Sequence, residues 1–176
     1  MVFARRLFDL MLFRAGPQDL PGNQTTLVAS AAAYCIALFA QVIVVAPPAG
    51  AAVQAVLATI LLGLYASTVL RMRKLSNRFV QTATALFASG TVLTILMIGP
   101  THAMAPYLEA MARASDPQSM PTPPGLMALV YVVAGFWGLA LYSHIYRHAL
   151  GVSILLGVGA TVAFELLLLV VFSLLG

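Results

Sequence analysis

Five uninterrupted apolar runs, near 27–46, 51–70, 79–98, 126–146 and 151–175, each reach the roughly 20 helical residues that cross the ~30 Å hydrocarbon layer of a bilayer. Inside hydrocarbon no water can take an unpaired backbone N–H or C=O, so only helices and closed barrels can span it. Barrel strands would alternate apolar and polar residues, whereas these runs are continuous. The sequence therefore predicts an all-α, polytopic membrane protein with five transmembrane helices. Composition agrees, because 61% of residues are hydrophobic and 8% charged, more apolar surface than a soluble domain could hide. With 176 residues there is room for one membrane domain over 24–176, preceded by a short segment over 1–23.

The separators between runs set the order of the bundle. Ala46-Pro47-Pro48-Ala49-Gly50 predicts a tight hairpin between the first two spans, since consecutive prolines remove backbone donors and the glycine relieves the turn. Arg71-Met72-Arg73-Lys74-Leu75-Ser76-Asn77-Arg78 divides the second span from the third. Only Arg147-His148-Ala149-Leu150 lies between the fourth and fifth. A longer stretch, 99–125, holds six prolines and is expected to be a loop with at most a short helix over 105–114.

Lys and Arg in short loops stay on the cytoplasmic side of a membrane. Arg5, Arg6 and Arg14, then Arg71, Arg73, Lys74 and Arg78, then Arg147 all fall on one side of a five-span chain. Only Arg113 is left for the other face, beside Glu109 and Asp116. The N-terminus is thus expected in the cytoplasm and the C-terminus outside. The net charge of +4 is accounted for by this asymmetry and calls for no nucleic-acid partner. Arg5, Arg6, Arg71, Arg73, Lys74 and Arg78 are also candidates for lipid headgroups.

Val2 to Arg14 mixes Phe3, Leu7, Phe8, Leu10, Met11 and Phe13 with Arg5, Arg6, Asp9 and Arg14, the pattern of an amphipathic helix lying in the membrane interface. Ala4-Arg5-Arg6-Leu7-Phe8 has the look of a twin-arginine signal, but Asp9 and Arg14 interrupt the apolar region and no small-residue cleavage site follows. Gly16-Pro17 ends the helix.

Small residues recur every four positions in the second span, at Ala51, Ala55, Thr59, Gly63 and Ser67. Weaker stripes run through Ala29, Ala33 and Ala37 and through Ser153, Gly157 and Thr161. Such spacing lets helix backbones approach closely, either within the bundle or against another subunit.

Three segments carry a resemblance. Phe13-Arg14-Ala15-Gly16-Pro17-Gln18-Asp19-Leu20-Pro21, Arg78-Phe79-Val80-Gln81-Thr82 and His144-Ile145-Tyr146-Arg147-His148-Ala149-Leu150 resemble an uncharacterised group of five-span proteobacterial inner-membrane proteins. That resemblance implies the bacterial inner membrane. The five-span topology, with a proline-containing turn before the first span, is also similar to the Yip1 superfamily of membrane-organising proteins.

Candidate chemistry is sparse. Glu165 stands in Thr161-Val162-Ala163-Phe164-Glu165-Leu166-Leu167, about 14 residues into the last run and so roughly 20 Å from its basic end. Such a carboxyl is either a proton-exchanging or ion-binding group, or a neutral hydrogen-bond donor to a neighbouring helix. His144 and His148 lie four apart on one helix face, as a cofactor-binding pair requires. A zinc site needs three or four ligands, and the third histidine, His102, is expected at the opposite side, so no metal is predicted. The same two histidines, with Tyr142, Tyr146 and Arg147, also suit an interfacial anchor. The single cysteine, Cys35, can form no intrachain disulfide. Trp137 and Tyr131 suit packing or the bilayer interface. No phosphate-binding glycine loop or nucleophile elbow is present, and no cofactor is predicted.

Two roles fit. One is a non-enzymatic accessory or scaffold subunit, or a Yip1-like membrane-organising protein, whose partners are the bilayer, other membrane subunits or further copies of itself. The other is a small transporter or proton-linked channel that uses Glu165.

Overall fold

The computed structural model describes residues 2–113, 122 and 124–175. Six α-helices follow one another: α1 (Val2–Met11), α2 (Gln24–Val42), α3 (Pro48–Met72), α4 (Phe79–Arg113), α5 (Gly125–Leu150) and α6 (Ile154–Leu175). The described residues contain no strand. The five helices α2 to α6 are each long and apolar enough to cross a membrane, and the protein is an all-α polytopic bundle.

The ends of the helices follow from local chemistry. Asn23 opens α2 by accepting the Thr26 N–H at 2.8 Å, satisfying one of the free donors of the first turn. Pro48 occupies the first position of α3, where its missing N–H costs nothing. Gly151, at φ 63°, closes α5 in the left-handed conformation that glycine adopts without strain. The connection to α6 is consequently shifted to 151–153, and the last span starts at Ile154 rather than at 151. Glu165 then lies 11 residues into α6, roughly 17 Å from its start.

The expected loop over 99–125 needs correction. Instead of stopping near 98, α4 continues as one helix to Arg113 with Pro100 and Pro106 inside it. Each proline removes one helical hydrogen bond, a loss that helices in a bundle tolerate where neighbours support the freed backbone. One residue past Pro100, the Thr101 hydroxyl meets Gln41 Nε2 at 3.2 Å and the Tyr131 hydroxyl at 2.5 Å, tying α2, α4 and α5 together. Residues 114–121, Asp116 among them, lie outside the described residues.

At the centre of the bundle, residues 82–90 of α4 are buried on every side. The segment suits that position because it is rich in small residues, Ala83, Ala85, Ala88 and Gly90, with Leu86 and Phe87 filling the gaps. Its hydroxyls turn back on their own helix: Thr82 to the Arg78 carbonyl, Thr84 to Val80, Ser89 to Ala85. These polar groups are therefore satisfied locally. α2 lies along α4, α5 packs on α4 and α6, and α3 reaches α2, α4 and α6.

On α3 the buried face is Ala51, Ala55, Ala58, Leu62, Ala66 and Leu70. A strict four-residue stripe turns about 40° per step around a helix of 3.6 residues per turn. Ala51 and Ala55 accordingly face the core, whereas Thr59, Gly63 and Ser67 are only half-buried.

Candidate functional site

Between α2, α4, α5 and α6 the bundle holds a cavity of about 600 Å³. Its walls are chiefly apolar. Read along the helices, the inner end is Tyr34, Gly90, Tyr142, Phe164 and Glu165, and the far end is Gln41, Met97 and Tyr131, with Thr94 between them. Gly90 makes the inner end possible: a Cβ there would lie 2.5 Å from the Tyr142 hydroxyl and 2.7 Å from the Tyr34 ring. Without one, both phenols pack over α4, and the Tyr142 hydroxyl donates to the Leu86 carbonyl at 3.3 Å. Val132 and Phe136, 54% and 69% exposed, line the side where the cavity opens from the bundle.

Glu165 lines this space at its edge and is at the same time exposed at the surface of the bundle. Of the two roles read for it from sequence, a hydrogen bond to a neighbouring helix is not made, for the carboxyl has no hydrogen-bond or ion-pair partner among the described residues. An uncompensated carboxyl at membrane depth is costly, and such groups mark places where a further polar group is met. Of the cavity residues, Glu165 was singled out in the sequence as chemistry, and Tyr131 and Tyr142 only as packing or interfacial groups. Tyr34, Gln41 and Thr94 were not named, although polar side chains within apolar runs are the signal that would have found them.

His144 and His148 do come together, with ring centroids 4.4 Å apart. His144 is committed elsewhere: its Nε2 lies 2.9 Å from the Ala15 carbonyl, and Phe13 packs edge-on against it at 5.3 Å. A carbonyl only accepts, so Nε2 carries the proton and offers no lone pair to a metal or haem. No group of three or more His, Cys, Asp or Glu that could hold a metal occurs among the described residues. His102 sits exposed in the C-terminal part of α4, and Cys35 is half-buried in α2.

The N-terminal segment is more deeply engaged than an interfacial helix would be. Leu10 is 0% and Met11 6% exposed, both within the main core, while Arg5, Arg6 and Phe8 remain exposed. Trp137 Nε1 donates to the Met11 carbonyl at 3.2 Å, and Arg6 donates to the Asp19 carbonyl. Gln81 Nε2 donates to the carbonyls of Gln18 and Leu20 at 3.1 and 3.2 Å. Arg78 donates to the carbonyls of Ala149 and His148 at 3.0 and 3.4 Å, capping the end of α5. The three segments that carry the sequence resemblance therefore meet at one end of the bundle. That end also carries exposed Arg71, Arg73 and Lys74.

On the α5–α6 seam, Gly157 and Thr161 are buried and Ser153 is exposed. The Ser143 hydroxyl lies 3.3 Å from that of Thr161. In the α2 stripe Ala37 is buried, whereas Ala29 and Ala33 are exposed.

Comparison with protein-family models, with curated proteins and with solved structures finds no match.

Proposed function

We propose that this chain is a non-enzymatic integral membrane protein that works by binding a small amphipathic molecule in the cavity between α2, α4, α5 and α6, with Glu165 as the polar contact. The observation that carries the reading is a carboxyl without a partner lining a largely apolar space of about 600 Å³. Sites for such ligands are concave and mostly apolar, with few polar groups that fix orientation. The ligand would enter sideways from the bilayer, past Val132 and Phe136, and present a cationic or hydrogen-bonding group to Glu165. Closure of α4 over 82–90 favours uptake and release over an open channel. Its basic loops favour an N-terminus in the cytoplasm, and its resemblance to the proteobacterial five-span group implies the bacterial inner membrane.

The exposed edge at Val132 and Phe136 also favours a second reading, in which an accessory subunit receives a partner's helix beside Glu165. One experiment separates the two. The tagged protein and its Glu165→Leu variant are extracted gently from native membranes, and everything that co-purifies is identified by mass spectrometry. A stoichiometric small molecule retained by the wild type and lost from Glu165→Leu supports the proposal. A stoichiometric protein lost in the same way supports the accessory subunit, and identical material from both forms refutes a role for Glu165 in either.

A further inference from the structure

The basic end of the bundle carries a second concavity, independent of Glu165. A hollow of about 400 Å³ opens between the turn that joins α3 to α4 and the turn that joins α5 to α6. Arg73, Lys74 and Arg78 line it, with Leu75 and Leu150 as an apolar floor, and none of its lining residues is acidic. A neighbouring hollow shares Arg78 and adds the amides of Asn77 and Gln81, again without an acidic lining residue. Asp19, which lies near His148, has its carboxylate engaged by the Gly16 N–H at 2.8 Å.

Two details go beyond loose surface charge. Arg78 is held in place by its bonds from Nη1 to the end of α5, which leaves the N–H groups of Nε and Nη2 to a ligand. Lys74 occupies a left-handed position, φ 58°, where glycine would sit without strain. The turn thus places an ammonium group at a site where folding alone would favour having no side chain.

We propose that this hollow binds a phosphate group, with Arg73, Lys74 and Arg78 as its cationic donors. Guanidinium groups suit phosphate oxygens in paired hydrogen bonds, and an ammonium adds a point charge. The hollow lies where α3 and α5 end and α4 begins, the level at which a spanning bundle meets lipid headgroups. Its apolar floor matches the glycerol and first methylenes of a phospholipid, so an anionic phospholipid is the expected source, and free phosphate is the other.

The test uses the full-length protein in nanodiscs of phosphatidylcholine doped with spin-labelled phosphatidic acid or spin-labelled phosphatidylcholine. Selectivity for the labelled lipid is read by electron spin resonance. Wild type should select phosphatidic acid, and Arg73→Gln with Lys74→Gly should lower that selectivity about thirtyfold, at roughly 1 kcal/mol of attraction for each of the two basic residues near the surface. Lys74→Gly also relieves the backbone, so an unfolded variant cannot explain the loss, and thermal unfolding checks this directly. Arg14→Gln with Arg147→Gln removes the same charge from exposed positions that do not line the hollow, and should leave selectivity nearly unchanged. An equal loss from that control overturns the proposal in favour of diffuse attraction, as does a wild type without lipid selectivity that is also unaffected by inorganic phosphate. If inorganic phosphate raises the thermal stability of wild type but not of the Arg73→Gln, Lys74→Gly variant, and lipid selectivity is absent, the site stands with free phosphate as its ligand.

Discussion

Gly157 is the position where the packing of α5 on α6 can be tested most sharply. A Cβ built there lies 2.5 Å from the Ser143 carbonyl oxygen and 3.2 Å from both the backbone nitrogen and Cβ of Arg147. Carbon and oxygen meet comfortably at about 3.3 Å, so Gly157→Ala forces the two helices apart by about 0.8 Å. The obstacle is backbone within a helix and no rotamer change removes it. Overfilling a packed seam costs about 1–3 kcal/mol. The same displacement strains the 2.6 Å bond from the Tyr65 hydroxyl to the Ala160 carbonyl and the Ser143–Thr161 contact. Against this, alanine gains about 0.5–1 kcal/mol over glycine inside a helix. Gly159→Ala has the same gain on the same helix, with nothing within 4 Å of the added methyl. The difference between the two variants therefore isolates the clash, and Gly157→Ala should be less stable than Gly159→Ala by about 1–3 kcal/mol. Equilibrium unfolding in mixed micelles, read by the circular dichroism of both variants, measures that difference. Equal stabilities, within about 0.5 kcal/mol, would refute the close approach of α5 and α6 at Gly157.

Tyr146 is fully buried, its hydroxyl without a hydrogen-bond partner, while its ring packs edge-on against Tyr65. An unsatisfied buried hydroxyl costs about 1–3 kcal/mol, so Tyr146→Phe should unfold no more easily than wild type; a clear loss of stability would show that the hydroxyl is satisfied. Leu10→Ala removes a fully buried side chain that docks α1 into the core, a change worth about 2–5 kcal/mol at such sites. Because Trp137 is the only tryptophan and donates to the Met11 carbonyl, its emission should shift to the red as α1 loosens. Proteolysis ahead of Asn23 should quicken as well, and unchanged emission with unchanged cleavage would contradict the docked position of α1.

The spans were legible because a hydrocarbon solvent demands long apolar helices and leaves a plain trace in the chain. Gly157 and Thr161 were legible for a related reason, since close backbone approach needs small residues. The proline-rich stretch misled because Pro100 and Pro106 signal a break in water, whereas membrane helices tolerate proline and α4 runs on through both. The docking of the N-terminal segment had no sequence trace at all. Its acceptors are the backbone carbonyls of Met11, Ala15, Gln18 and Leu20, groups that every residue carries. The cavity was legible only through Glu165, since its other walls come from four helices whose register along one another no local pattern encodes.

The way the first residues fasten to the last helices has a consequence for biosynthesis. Met11 bonds to a residue 126 positions later and Ala15 to one 129 positions later. At a synthesis rate of about 5–20 residues per second, the segment waits roughly 6–26 s before its docking partners exist. During that interval α1 has no core to enter, and its arginine-bearing, amphipathic surface can rest at the bilayer surface. When α5 arrives, Leu10 and Met11 leave lipid for protein and the central stretch of α4 is covered. α1 is thus made before α2 to α5 yet takes its place only after α5, and the amphipathic pattern read from its sequence belongs as much to the waiting state as to the finished bundle.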